Sequence, residues 1–226
     1  MDTIPESAFL EIIKELERQP LAINEYRLKS GTGRSQAFGI VNRRCLAPDY
    51  SRNCWTRPKL YHHLLEFAKQ YVDLSFNAIT VNQNYKAEPH RDKNNKGESF
   101  LVAFGNYTGG ELEILEGERK GLYNINRSPI KDNFSKVLHS VKDFSGNRYS
   151  LVYYNFDNKR LLDTLPIGTV KIEDNKYYFY RGDKKITRKE GLPHCLKGRK
   201  KDTITGIIKE VKDLTIVFDW SWNAVL

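Results

Sequence analysis

The feature of this sequence that most constrains its fold is a series of short apolar runs between residues 76 and 157, separated by turn residues. Each run is rich in Val, Ile, Leu, Tyr and Phe and is followed by Asn, Gly, Asp or Lys. Runs of this length and spacing are typical of strands in an antiparallel barrel or sandwich. The sequence therefore predicts a β core over about 76–157, built from FNAITVNQNY, SFLVAFGNY, ELEILEGE, GLYNIN and RYSLVYYNF.

Two segments that precede this β core have the apolar spacing of amphipathic helices. The first carries an apolar stripe from Ile4 to Leu16 and ends before Pro20, and the second covers 58–71. Both are predicted to be helices that pack against the core.

The stretch between these helices, residues 30–58, is rich in Gly, Ser, Asn and Arg. A connection this long is uncommon unless it is functional or contains short strands. Its segment Gly31-Thr32-Gly33 lacks the strand-to-helix context and the Lys-Ser/Thr ending of a phosphate loop, so it is predicted to be a flexible turn.

Residues 158–226 have a different character from the core. TVKIEDNKYYFYRGDKKITR has a hairpin-like pattern, LPHCLKGRKKD is a basic loop, and TIVFDWSW indicates a further strand. We therefore expect two domains, with the β core and its helices in 1–157 and a small basic C-terminal β extension in 158–226.

Composition excludes several classes of protein. Hydrophobic residues make up 39% of the 226 residues, which argues against a disordered chain. No apolar stretch is long enough to span a membrane and the N-terminus is acidic, so we expect an intracellular, soluble protein, cytoplasmic or nuclear, with no membrane partner. The three cysteines, Cys45, Cys54 and Cys195, are too few and scattered for a disulfide framework and are expected to be buried or inert thiols.

A histidine and a carboxylate lie two residues apart at His90 and Asp92, so in an extended strand both side chains point to one face. His139 follows 47 residues after Asp92, at the end of a short apolar run, and is the candidate third ligand. Two histidines and a carboxylate form the facial triad that holds non-haem Fe(II). The alternative is a surface pair beside the loop 93–96.

An arginine suited to bind a carboxylate follows the third candidate ligand. Arg148 lies nine residues after His139, and Ser150 faces the same side of the predicted strand. A guanidinium can bind a carboxylate in bidentate fashion, and such an iron site usually needs an organic acid as a source of electrons. The pair is suited to 2-oxoglutarate, although Arg148 can also be an ordinary strand arginine that is paired with a neighbouring acid.

Taken in order, His90-Arg91-Asp92, Gly109-Gly110-Glu111-Leu112, His139 and Arg148-Tyr149-Ser150 resemble the 2-oxoglutarate- and Fe(II)-dependent oxygenase superfamily. The resemblance covers about 76–157, with looser support back to about residue 34. It implies a mainly β chain with flanking helices, whose core is a double-stranded β-helix, or jelly roll. It also implies Fe(II), the co-substrate 2-oxoglutarate, and dioxygen.

Carried over by position, the resemblance assigns iron binding to His90, Asp92 and His139. It assigns the C5 carboxylate of 2-oxoglutarate to Arg148 and Ser150. It has Gly109 and Gly110 shape the turn before a core strand. A looser assignment has Asn82, Asn84 and Tyr85 contact the co-substrate.

The wider pattern of the chain is similar to one branch of that superfamily, which contains the thymine hydroxylases of base J synthesis and the TET-type methylcytosine oxygenases. Most of this similarity comes from the turn GNYTGG and from Asn94, Asn95, Gly97 and Ser99. It implies hydroxylation of a C–H bond on a nucleobase, of the thymine or 5-methylcytosine type, in DNA or RNA. The alternatives are a prolyl or lysyl hydroxylase, which usually has Lys where this chain has Arg148, and a non-catalytic jelly roll that binds nucleic acid.

The net charge of +9 favours a polyanionic partner, and the basic residues are concentrated in two segments, 34–57 and 184–201. The first interleaves arginines with Tyr50 and Trp55, a pattern suited to phosphate contact and base stacking. The alternative for both segments is a solvated surface. Among the other residues, Arg91 is expected to face away from the iron and either to be structural or to contact the substrate. His62 and His63 are expected to be structural or exposed, and His194 to be exposed. The first segment contains Arg34, Arg43, Arg44, Arg52 and Arg57, and the second contains Lys184, Lys185, Arg188, Lys189, Lys197, Arg199, Lys200 and Lys201.

Overall fold

The structure, a computed structural model, describes residues 3–23, 31–43, 46–156 and 168–187, without the side chains of 42–47. Its described helices are α1, Leu10–Arg18, which follows a 3-10 turn at Glu6–Phe9, then α2, Asn53–Thr56, and α3, Pro58–Tyr71. Helices α1 and α3 confirm the two predicted amphipathic helices. None of the described helices is both long and apolar enough to cross a membrane.

The described strands form three antiparallel sheets. The major sheet has the order β2-β1-β3-β9-β4-β7, the minor sheet β6-β5-β8, and the third sheet β10-β11-β12. Their bounds are β1 Gly31–Arg43, β2 Leu46–Tyr50, β3 Ala78–Ala87, β4 Asn95–Gly109, β5 Leu112–Ile114, β6 Gly121–Tyr123, β7 Ile130–Asp132, β8 His139–Val141, β9 Phe144–Phe156, β10 Gly168–Glu173, β11 Lys176–Arg181 and β12 Lys184–Lys185.

One face of the major sheet packs against the helices. Strand residues alternate between the two faces of a sheet, and on β9 the buried Tyr149, Leu151 and Tyr153 belong to the cluster that includes α1 and α3. The Tyr153 hydroxyl donates to the carbonyl of Leu64, 2.9 Å away, which ties the sheet to α3. The opposite parity in the first part of β9, which contains Arg148, Ser150 and Val152, therefore faces away from the helices.

The other face of the major sheet packs against the minor sheet. Leu101 and Val152 from the major sheet belong to one apolar cluster with Leu112 and Ile114 from the minor sheet. Two facing antiparallel sheets with the strand orders β3-β9-β4-β7 and β6-β5-β8, in which strands distant in sequence are neighbours, have the arrangement of a jelly roll. This confirms the predicted mainly β fold with flanking helices and a double-stranded β-helix core.

The prediction of a flexible turn at Gly31-Thr32-Gly33 is wrong, because these residues begin strand β1 and pair with β3 around a β-bulge. Gly31 and Gly33 have φ of 154° and 126°. A Cβ on either would lie 2.2 Å from a backbone oxygen of β3. Glycine is needed here because the backbones approach closely, so the β core begins at Gly31 and not near residue 76.

The hairpin predicted in the C-terminal part is present as β10 and β11. Phe179 of β11 is buried in the core cluster with Tyr50 and Tyr61, and Arg181 forms an ion pair with Asp49. The described residues belong to one compact unit, Met1–Gly191. The rest of the predicted extension, 188–226, lies outside the described residues, and the boundary at 157 stays a prediction.

Candidate metal and carboxylate site

Two of the predicted ligands are held face to face by the backbone. The N–H of His90 donates to the carbonyl of His139 at 2.9 Å, and the N–H of His139 donates to the carbonyl of His90 at 3.1 Å. This reciprocal bridge brings the loop after β3 to the start of β8 in the minor sheet. The two imidazole centroids are consequently 4.4 Å apart.

Asp92 completes the group of three. One ligand atom from each of His90, Asp92 and His139 lies within 4.8 Å of the others, a spacing that allows them to share one metal ion. Asp92 is held by its own N–H, which donates to the carbonyl of Phe134 at 2.9 Å. The side-chain amide of Asn95 donates to Asp92 Oδ2 at 3.3 Å, while Oδ1 lies 3.6 Å from His90 Nε2.

Both imidazoles are oriented through Nδ1. His90 Nδ1 lies 2.7 Å from the carbonyl of Glu88, and His139 Nδ1 lies 3.0 Å from that of Val137. A proton on Nδ1, donated to a carbonyl, presents Nε2 as the metal ligand. Burial lowers the pKa of His139, which favours the neutral imidazole that metal binding requires.

Arg148 is a buried cation whose hydrogen-bond donors are only partly satisfied by the described residues. Its side chain is 2% exposed, and its Nε and Nη2 have no hydrogen-bond partner there. The rings of Tyr107 and Phe144 lie 5.4 and 5.6 Å from its guanidinium carbon. Burial lowers the pKa of Arg148, and a buried guanidinium with unsatisfied donors is suited to an anionic ligand. No acidic side chain of the described residues forms a salt bridge with Arg148.

Glycine at position 110 gives Arg148 its space. A Cβ on Gly110 would lie 2.8 Å from Arg148 Nε, and Gly110 has φ of 72°. Gly109, with φ of 74°, likewise lies in the left-handed region that favours glycine. These two residues form the turn between β4 and β5.

The other residues that were predicted to contact the co-substrate differ in what they contact in the structure. Asn82 and Ser150 are buried, with Asn82 Nδ2 donating to Ser150 Oγ at 3.1 Å, and Asn82 Oδ1 has no partner in the described residues. Tyr85 is buried and lines the same cavity. The side-chain oxygen of Asn84 accepts from the backbone N–H of Arg148 at 2.8 Å, so Asn84 supports the strand. The roles of these residues in co-substrate binding stay predictions.

The three candidate ligands and Arg148 line one cavity of about 420 Å³ between the major and minor sheets. The cavity therefore combines a place for a metal ion with a cation for a carboxylate. Sequence reasoning missed Tyr154 and Phe156, which line this cavity as well. The alternation of strand residues could have identified them, because Tyr154 and Phe156 are even-numbered residues of β9, as are Arg148 and Ser150.

Only some of the described residues in the two basic segments, 34–57 and 184–201, lie at the surface. Arg57 is buried and donates to the side-chain oxygen of Gln36 at 2.9 Å and to two carbonyls at the end of α1. Tyr50 is buried, and Trp55 packs against Phe179, so these residues serve the fold. Arg34, Arg52 and Lys184 are exposed, whereas the side chains of Arg43 and Arg44 and all residues from Arg188 onward lie outside the described part of the chain.

Cys54 is confirmed as a buried thiol, and burial raises its pKa to about 12. Cys45 and Cys195 lie outside the part of the chain that the structure describes, so their predicted burial stays a prediction. His62 and His63 contact the ring of Tyr177, with centroids 5.2 and 6.1 Å away, which fits a structural role. His194 also lies outside the described residues.

No protein-family model matches the sequence, and no curated protein matches it either. Among solved structures, the chain is similar to NgTET1 in complex with 5mC DNA, with 15% identity and a TM-score of 0.48 over 68% of this chain and 69% of that chain. It is similar to a 2OG-Fe(II) oxygenase family oxidoreductase from Burkholderia pseudomallei, with 16% identity and a TM-score of 0.41 over 66% and 80% of the two chains. A prolyl-4-hydroxylase from Pseudomonas putida has 14% identity and a TM-score of 0.43 over 69% and 90%. Similarities of this size leave the chemistry to be inferred from the residues of the site.

Proposed function

We propose that this chain is a 2-oxoglutarate- and Fe(II)-dependent dioxygenase that hydroxylates a C–H bond. The observation that carries the proposal is the shared cavity. It joins a cluster of two histidines and one aspartate to a buried arginine whose Nε and Nη2 have no partner in the described residues. Either feature alone has a structural explanation, but together they fit a metal ion and an organic acid bound side by side.

The donor set fits iron. His90, Asp92 and His139 would hold Fe(II) as a facial triad, which leaves coordination positions for other ligands. With 2-oxoglutarate bound, the metal would enable dioxygen to oxidise a C–H bond of the substrate.

Arg148 fits the far carboxylate of 2-oxoglutarate. Its two unpartnered nitrogens would donate to the two carboxylate oxygens, and the Ser150 hydroxyl, on the same face of β9, would add a third donor. Burial of Arg148 strengthens these hydrogen bonds, because little water competes for the guanidinium. Strand β9 thus presents Arg148 and Ser150 and strand β8 presents His139, whereas His90 and Asp92 lie in the loop after β3.

For the substrate, we infer a nucleobase of the thymine or 5-methylcytosine type in DNA or RNA. The cavity wall includes Tyr154 and Phe156, and the exposed Lys93 and Asn94 line the same cavity. Aromatic side chains suit a planar base, and the amide and ammonium groups suit base edges or phosphate. The net charge of +9 supports a polyanionic partner.

The test is succinate release from 2-oxoglutarate by the Fe(II)-loaded protein under air. Single-stranded DNA, duplex DNA, RNA and a mixed peptide pool are supplied separately, with an Asp92→Ala variant as the control for background turnover. Stimulation by one nucleic acid supports the proposal, and nucleoside mass spectrometry then identifies the oxidised base. Stimulation by peptides alone would replace the nucleobase with a prolyl or lysyl target. Absence of release in every reaction, with iron bound, would contradict the enzyme and favour a non-catalytic binding jelly roll.

A further inference from the structure

Arg91 lies between two candidate ligands, and its guanidinium pairs with Glu116. Its Nε donates to Glu116 Oε1 at 2.9 Å, and its Nη2 lies 2.6 Å from both Glu116 oxygens. Such paired contacts fix the guanidinium relative to the carboxylate. Arg91 is thereby tied to the segment that follows β5.

The same carboxylate also holds the segment that leads to the third ligand. Glu116 Oε1 accepts from the backbone N–H of Leu138 at 2.7 Å, and Leu138 directly precedes His139. Arg91 Nε additionally donates to the carbonyl of Lys136 at 3.1 Å. One ion pair therefore contacts the chain next to all three candidate ligands.

The two segments are also linked directly, by the reciprocal His90–His139 backbone bonds and by the bond from the Asp92 N–H to the carbonyl of Phe134. The His90 side lies outside the named strands, and β8 has only three residues. Exposed ion pairs usually contribute little to stability. This pair differs because its carboxylate has a third, backbone partner.

We propose that Arg91 and Glu116 are a positioning pair, which sets the distance between the His90–Asp92 segment and His139 and so determines the affinity for a divalent metal. Neither side chain is a ligand. That a metal binds at this site is taken from the proposed function. That the pair positions the ligands is argued from its own hydrogen bonds.

The experiment is a titration of the purified metal-free chain with Co(II), followed by visible absorption. The variants are Arg91→Ala, Glu116→Ala, Glu116→Gln and the double alanine variant. Asp73→Ala is the matched control, because it removes another ion pair with a 2.6 Å contact, to Lys131, and Asp73 itself lies 17 residues before the first candidate ligand. His90→Ala measures how much Co(II) binding remains without the candidate site. The melting temperature of each metal-free variant is measured in parallel.

We expect Arg91→Ala and Glu116→Ala to weaken Co(II) binding by about 10-fold or more, the range typical of residues that orient metal ligands. Their Co(II) spectra should change, and their metal-free melting temperatures should stay close to that of Asp73→Ala. The double variant should bind about as weakly as Glu116→Ala, because the two residues act as one unit. Glu116→Gln should recover part of the affinity, since its amide oxygen still accepts from Leu138.

Two results would overturn the inference, and they are distinguishable. If His90→Ala abolishes binding but the Arg91 and Glu116 variants bind Co(II) like Asp73→Ala, or lose affinity only in proportion to their melting temperature, the pair has no positioning role. If the wild-type chain does not bind Co(II), or binds it equally with His90→Ala, the metal site itself is wrong and the proposed function fails with it.

Discussion

Arg148 is the residue at which stability and binding are most clearly in conflict. A buried guanidinium without an acidic partner loses hydration, and the contacts of Arg148 with Tyr107 and Phe144 leave its Nε and Nη2 without a hydrogen-bond partner among the described residues. A chain selected only for stability has no use for such a group. The cation is explained if an anion completes its hydrogen bonds.

This explanation predicts opposite effects of Arg148→Met on binding and stability. Affinity for 2-oxoglutarate should fall by about 100-fold, because charge-assisted hydrogen bonds are lost. The free energy of unfolding of the ligand-free chain should stay the same or rise, because the unsatisfied charge is removed and the stem is kept. Calorimetric titration of the Co(II)-loaded protein and urea unfolding measure the two effects.

Arg119→Met is the control, because Arg119 is an exposed arginine paired with Asp132. It should leave the 2-oxoglutarate affinity unchanged. Equal affinity of wild type and Arg148→Met would remove Arg148 from the site.

Sequence reasoning succeeded at this scale where a two-residue period carried the information. It placed Arg148 with Ser150, since alternate residues of a strand share a face. It also grouped His90 with Asp92, although these two lie in the loop after β3 and not in the extended strand that was expected. It could not find the partner of Arg91, because Glu116 lies 25 residues away and only the fold brings the two together. Arg57 was misleading for the same reason, since its buried partners lie in α1 and β1.

At the scale of elements, α1 is held to α3 by a buried carboxylate. Glu15 pairs with Arg18 of its own helix at 2.7 Å and with Lys59 of α3 at 2.9 Å. Burial alone would raise the pKa of Glu15, but the hydrogen bonds from Arg18 and Lys59 outweigh it and lower the pKa. Its charged form therefore stabilises the contact between the helices.

The consequence is a pH-dependent effect of Glu15→Gln. A carboxyl whose folded-state pKa is depressed contributes stability above its unfolded pKa, about 4.3, and that stability is lost as the pH falls through the folded value. Glu15→Gln should cost about 1 kcal/mol at pH 7 and progressively less in acid. Urea unfolding at both pH values measures the difference.

The exposed pair of Glu11 with Lys14 provides the control, and Glu11→Gln should have no measurable effect at pH 7. A penalty for Glu15→Gln that is the same at pH 7 and in acid would contradict the role of its charge.

The elements that sequence reasoning missed are those held by pairing rather than by propensity. Strands β7 and β8 have three residues each, too few to show a period, and exist because β4 and β5 pair with them. Strand β1 was obscured by Gly31, Gly33 and Gly39, which usually indicate loops. Here they permit close approach to β3. The longer strands β3, β4 and β9 could be predicted because each contains a continuous run of buried residues, 78–82, 99–104 and 148–151, which reads as an apolar run bounded by turn residues.

For the whole molecule, the charge of +9 predicts association with a polyanion that weakens as salt rises. Neutralising Arg199, Lys200 and Lys201 together should weaken nucleic-acid binding and flatten its salt dependence by about three units of slope at most. Binding to a labelled oligonucleotide across a salt series measures both.

The control is to neutralise Lys14, Lys69 and Lys131, which are paired with acids. This removes the same charge and should have a smaller effect. Equal effects would assign binding to net charge alone.

The most direct test of the account is an anaerobic titration of the metal-free chain with Fe(II) in the presence of 2-oxoglutarate, followed by the visible charge-transfer absorption of a chelated iron–oxoacid complex. We predict that one equivalent of Fe(II) saturates the signal in the wild type and in Asp73→Ala, and that His90→Ala, Asp92→Ala and His139→Ala give none. A wild-type chain without the absorption, or variants that retain it, would contradict the assignment of iron and 2-oxoglutarate to this cavity.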